Sequence, residues 1–128
     1  MQKSDPPDLR LSAQGNLENI FDHAQALARV EGDAELLAEM AALFLESYVE
    51  QLSAIRAGLA CGDLQAVKNA AHSLKGAVGN FAARESYEAA QSVEETAGRG
   101  DLTGAERAYS GLDTALERLR GALGRLTG

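Results

Sequence analysis

The chain has 128 residues, 45% apolar but only 5% aromatic and without tryptophan, enough for one domain whose core suits packed helices better than a β-sandwich. A formal net charge of −7 argues against nucleic acid, which needs a basic face, and against an anionic membrane surface. Cys61 is the only cysteine, which excludes an internal disulfide, and the chain carries neither a signal-peptide pattern nor an apolar run of about 18 residues, so the expected location is cytoplasmic.

Residues 1–15 are polar, hold both prolines (Pro6 and Pro7), and read as a flexible leader; residues 16–128 read as a single helical domain. Nothing beyond Pro7 forbids long helices. The dipeptide Gly-Asp then recurs three times, at Gly32-Asp33, Gly62-Asp63 and Gly100-Asp101, each time between two helical patterns. Glycine takes the left-handed conformation that closes a helix, and aspartate accepts from the free N–H groups that open the next. Such tight junctions make neighbouring helices antiparallel.

The spacing predicts a short helix over residues 17–30, with Leu17, Ile20, Phe21, Ala24 and Leu27 on one side. A second spans 34–60, where Leu37, Ala41, Phe44, Tyr48, Leu52, Ile55 and Leu59 recur at three and four residues. The third covers 64–81 and the fourth 84–98, the latter with Tyr87, Ala90, Val93 and Ala97 as its apolar stripe. The last covers 102–126, with Ala105, Tyr109, Leu112, Leu116, Leu119, Leu123 and Leu126. That heptad-like spacing suits either a coiled-coil dimer or the seam of an intramolecular bundle. The bundle is preferred because three other amphipathic helices can cover the stripe. The expected fold is all-α: an antiparallel up-down four-helix bundle with a short additional N-terminal helix.

On a helical wheel the third helix puts Val67, Ala70, Ala71, Leu74, Val78 and Phe81 in one arc, the core stripe. His72 falls on the opposite side with Lys68, Asn69, Lys75, Gly76 and Gly79. A lone surface histidine is usually only that. Two glycines on the same exposed face weaken the helix by about 2 kcal/mol, however, and alanine would remove that penalty without touching the core. Missing side chains beside an imidazole leave a flat approach for a macromolecule that must reach a ring nitrogen. Lys75, one turn away, supplies a cation suited to a phosphoryl group.

The stretch "AAHSLKGAVGNFAA" resembles the phosphoacceptor motif of histidine-containing phosphotransfer (HPt) domains, which relay phosphoryl groups in bacterial two-component signalling, and is similar to the phosphoacceptor domain of chemotaxis histidine kinases. His72, Lys75, Gly76 and Gly79 match the signature. "FDHAQALARVEGDAELLAEMAALFLE" resembles the family's opening helix, Gly-Asp turn and second helix, and "GLACGDLQAVKNAAHSLKG" its approach to the histidine, so the likeness covers residues 17–126. Members commonly carry a glutamate or glutamine 22 residues after the histidine, on the next helix, bonded to the imidazole; here that residue is Glu94. Many members have glycine ten residues after the histidine where this chain has Ala82, and alanine there is expected to let the third helix run slightly longer.

The resemblance implies a phosphocarrier. His72 would take a phosphoryl group from a receiver-domain aspartate, or from a kinase, and pass it to another receiver. Glu94 would fix the tautomer and favour the charge that builds on the ring, and Lys75 would offset charge on the phosphoryl oxygens. Gly76 and Gly79 would give the receiver clearance, while Lys68 and Arg84 would add a positive rim. The implied partners are response-regulator receivers and a hybrid histidine kinase, to a monomeric protein, with no nucleic acid or membrane. No cofactor is expected; magnesium would come with the receiver. The chain has no Gly-rich phosphate loop and no Walker pattern, so it is not expected to use ATP itself and is not an enzyme in the turnover sense. His23 and His72 are the only histidines and no Glu-x-x-His pair exists, so no metal site is expected. The rival readings are a helical interaction module that never carries phosphate, a homodimer built on the last helix, and a metal- or cofactor-binding bundle, which lacks ligands.

Overall fold

The computed structural model describes Leu17 and residues 19–127. The expected leader and its boundary with the domain lie outside the described residues, apart from Leu17 onward. Five helices are assigned there, with no strand among the described residues: α1 (His23–Arg29), α2 (Ala34–Cys61), α3 (Leu64–Gly79), α4 (Arg84–Gly98) and α5 (Leu102–Thr127).

The junctions follow from the Gly-Asp repeats. Gly32, Gly62 and Gly100 have φ of 80°, 75° and 78°, left-handed values that close a helix at no steric cost. The aspartates that follow cap the next helix. Asp33 and Asp63 accept from Leu36 N and Ala66 N at 3.0 and 3.1 Å, and Asp101 Oδ1 accepts from Gly104 N at 2.9 Å.

Two expectations fail at junctions without that dipeptide. The helix expected over 17–30 is interrupted: Phe21 and Asp22 leave it, and the Asp22 side chain accepts from Gln25 N at 3.0 Å to start α1 afresh. Aspartate stabilises a helix start better than a helix interior. Of the expected face, Phe21 and Leu27 pack against the core, while Ala24 and Leu17 are exposed and Ala26 is the buried residue of α1. At the other site α3 does not run on to residue 81. It ends at Gly79, Ala83 N bonds to Val78 O at 3.4 Å, and Ala82 takes the left-handed conformation at φ 51°. The closing geometry asks for glycine, and the chain adopts it with an alanine.

Helix α2 packs on α3 and α5, and α4 packs between α3 and α5, an arrangement compatible with a four-helix bundle carrying a short additional helix. One continuous core joins Leu37, Phe44 and Ile55 of α2, Val67, Leu74 and Val78 of α3, Ala90 and Val93 of α4, and Leu112, Leu116, Leu119 and Leu123 of α5. Leu112, Leu116, Leu119 and Leu123 of the α5 stripe are thus buried within the chain. Among the described residues, no helix is long and apolar enough to cross a membrane.

Candidate functional site

Helix α3 is built from the wheel outward. Val67, Ala70, Ala71, Leu74, Val78 and Phe81 are all buried. Burial of that stripe fixes the rotation of the helix and turns the opposite side to solvent, where the His72 side chain is 67% exposed.

Helix α4 runs beside it and delivers Glu94. The carboxylate lies 2.9 Å from His72 Nδ1 through Oε2 and forms an ion pair at 2.8 Å with Lys75 Nζ through Oε1. A carboxylate only accepts, so in the neutral imidazole this contact favours the tautomer with the proton on Nδ1 and the lone pair on Nε2. Lys75, and after it the hydrogen bond from His72, hold Glu94 below the usual carboxylate range against an opposing effect of burial. The same carboxylate raises Lys75 above its ordinary value. The site is a three-residue chain of charge and hydrogen bonding spanning two helices.

Its surroundings are uneven. A cleft of about 470 Å³ is lined by Lys68, Asn69, His72, Ser73 and Glu94. The Lys68 stem leans across to the end of α4, within 3.8 Å of where a Cβ on Gly98 would stand. Gly76 is open: a Cβ built there meets nothing within 4 Å. Gly79 is different, because a Cβ there would touch the Tyr87 ring at 3.7 Å. With Arg84, Gly79 lines a second cleft of about 570 Å³ that also includes Arg29 and Tyr87. The structure therefore brings His72, Lys75, Glu94 and Lys68 together and places Gly79 and Arg84 in that neighbouring cleft. Arg29 of α1 donates to the Gly79 carbonyl and ties α1 to the end of α3.

Tyr87 does not belong to the core stripe, where the spacing argument placed it. It is 39% exposed, and Ser86 is fully buried in its stead. The signal was available in the sequence: Ala83, Ser86, Ala90, Val93 and Ala97 step by three and four, whereas Tyr87 belongs to the adjacent row. An apolar strip also lies outside the expected core stripe of α2. Leu36 and Leu43 of α2 are exposed, and Met40 and Leu43 line a groove with Ala77 and Asn80 of α3. Among the described residues, no three side chains of metal-ligating type converge.

Comparison with curated proteins and with solved structures finds no match. Comparison with protein families does: the Hpt domain model matches residues 39–122, which hold most of α2, all of α3 and α4, and the larger part of α5. The chain is therefore a member of the Hpt domain family, phosphocarrier modules that serve histidine phosphotransfer in phosphorelays and are not kinases.

Proposed function

We propose that His72 is the phosphoacceptor of this chain. The observation that carries the reading is the Glu94 carboxylate on Nδ1 of a largely exposed imidazole. Nε2 attacks the phosphorus of an aspartyl phosphate on a receiver domain. The N–P bond forms as the P–O bond to the aspartate breaks, and the aspartate leaves as a carboxylate. The ring gains positive charge and keeps its Nδ1 proton, and Glu94 stabilises that charge from 2.9 Å. In the reverse direction an aspartate oxygen of another receiver attacks the same phosphorus and the N–P bond breaks.

Lys75 has two tasks in this scheme. It keeps Glu94 ionised through Oε1, and since an ammonium has three donors, it retains capacity for a phosphoryl oxygen. Gly76 leaves the approach open. Lys68 contributes positive charge within the His72 cleft, and Arg84 and Gly79 lie at the edge of the receiver's footprint. The partners are receiver domains and a hybrid histidine kinase, met by a monomeric, cytoplasmic carrier whose helices run antiparallel through its short Gly-Asp junctions. It needs no cofactor of its own; magnesium arrives with the receiver.

The test mixes the protein with a receiver domain charged by a small-molecule phosphodonor. The expected product is acid-labile, base-stable phosphate on the wild-type chain and none on His72→Gln, with helicity unchanged. Label that survives in His72→Gln refutes the assignment. A wild-type chain that binds the receiver without label belongs instead to the interaction-module reading.

A further inference from the structure

We infer that Tyr87 is a positioning residue for the His72 site: its ring, seated against Gly79, flanks the Lys75 ammonium and keeps it on Glu94. The inference rests on the phosphotransfer reading of that site. Three observations carry it. The core does not need Tyr87, which is 39% exposed beside the buried Ser86. Its ring lies along α3 where Gly79 has no side chain, with Cδ2 and Cε2 at 3.7 and 3.8 Å from the position a Cβ would take. The Lys75 Nζ sits 5.8 Å from the ring centroid, within the range of a cation–π contact, and the lysine is only 21% exposed on the outer side of its helix.

A lysine side chain rotates freely on a surface unless something holds it. Here Glu94 holds the charged end and Tyr87 covers one flank. Tyr87, Lys75, Glu94 and His72 form a series, each restraining the next, and the last link is the hydrogen bond to Nδ1. On this account Gly79 is a seat for an aromatic ring and not clearance for a partner. Removing the ring frees Lys75 to leave Glu94, and a carboxylate with one partner fewer keeps the imidazole less firmly in one tautomer and orientation.

The test compares Tyr87→Phe and Tyr87→Leu with wild type in receiver-to-protein phosphotransfer and in nuclear magnetic resonance of the free protein. Phenylalanine keeps the ring and is expected to stay within about two-fold of wild type. Leucine is expected to slow transfer by about two- to five-fold, the size of an exposed cation–π contact. In the spectra, Tyr87→Leu should remove the ring-current shift of the Lys75 ε-methylene protons and move the His72 ring nitrogen shifts, while helicity stays constant. Wild-type transfer in Tyr87→Leu with unmoved His72 signals overturns the proposal. Equal slowing in both variants also overturns it, since the phenolic hydroxyl would then be responsible. If the wild-type chain takes no phosphate at all, the phosphotransfer reading falls, while the spectra still decide whether Tyr87 holds Lys75.

Discussion

Glu94 makes two contacts that outweigh its partial burial, and this gives the site a signed dependence on pH. Its carboxyl titrates lower in the folded chain than in the unfolded one, chiefly because of Lys75. The resulting stabilisation is fully present above the ordinary carboxylate range and is lost as pH falls through the lower, folded value. Lys75, raised by the same partner, keeps its charge throughout that window. The melting temperature of wild type should therefore exceed that of Glu94→Gln at pH 7, and the gap should close as pH is lowered below about 4. A gap that stays constant down to pH 3 would mean that the carboxylate charge contributes nothing. Gly76 supports a second expectation. Alanine meets no obstacle there and should stabilise α3 by about 1 kcal/mol, whereas a bulky residue such as leucine should slow transfer from a receiver. Chemical denaturation and a transfer assay separate the two effects. His72, Lys75 and Gly76 were legible as a surface cluster because helical spacing alone places them on one side. Glu94 was not: 22 residues intervene, and only the family resemblance singled out that glutamate from its charged neighbours.

The helix boundaries were legible where the chain uses one device repeatedly and illegible where it departs from it. Each Gly-Asp pair announces a left-handed stop and a capped start, and α2, α3 and α5 begin at the expected residues 34, 64 and 102. Asp22 lacks the preceding glycine, so the apolar pattern ran through it. Alanine stands at position 82 where the left-handed turn favours glycine, so the sequence carries no stop signal there. What ends α3 is the geometry of its last turn, which holds an alanine at φ 51°. A left-handed L-residue costs about 1–2 kcal/mol, and glycine's freedom in the unfolded chain returns roughly 0.4–1 of that. Ala82→Gly should therefore raise the unfolding free energy measured in urea by a net of about 0.5–1 kcal/mol, with transfer unaffected. Gly58 predicts the opposite sign. A Cβ there would stand 2.7 Å from Val67 Cγ2 and 3.0 Å from the Asp63 carbonyl oxygen, and the backbone at that turn has little room to yield. Overpacking of that kind costs about 1–3 kcal/mol and exceeds the helix-propensity gain of about 1 kcal/mol. Gly58→Ala should lower the midpoint, and an unchanged or raised one would show that α2 and α3 can slide apart.

All four long helices contribute to one core, and that unity decides how damage far from His72 is felt. Leu119 is completely buried in the middle of α5, on the stripe whose spacing was compatible with either an intramolecular seam or a coiled coil. Because the stripe closes the chain's own core, truncation to alanine removes contacts that hold α5 to its neighbours and leaves a cavity, at a loss of about 2–5 kcal/mol. Against a typical stability of about 5–15 kcal/mol, this is a large fraction. Leu119→Ala should lower the melting temperature in a single transition, with helicity and the His72 ring signals lost together, since a single core offers no independent unit to survive. The concentration dependence then tests the remaining alternative. A seam shared between two chains would make the midpoint rise with protein concentration through mass action. A seam closed within one chain should give the same midpoint over a hundredfold range, for wild type and variant alike. A midpoint that climbs with concentration would return α5 to the role of a dimer interface and would require the bundle to be completed by a second copy.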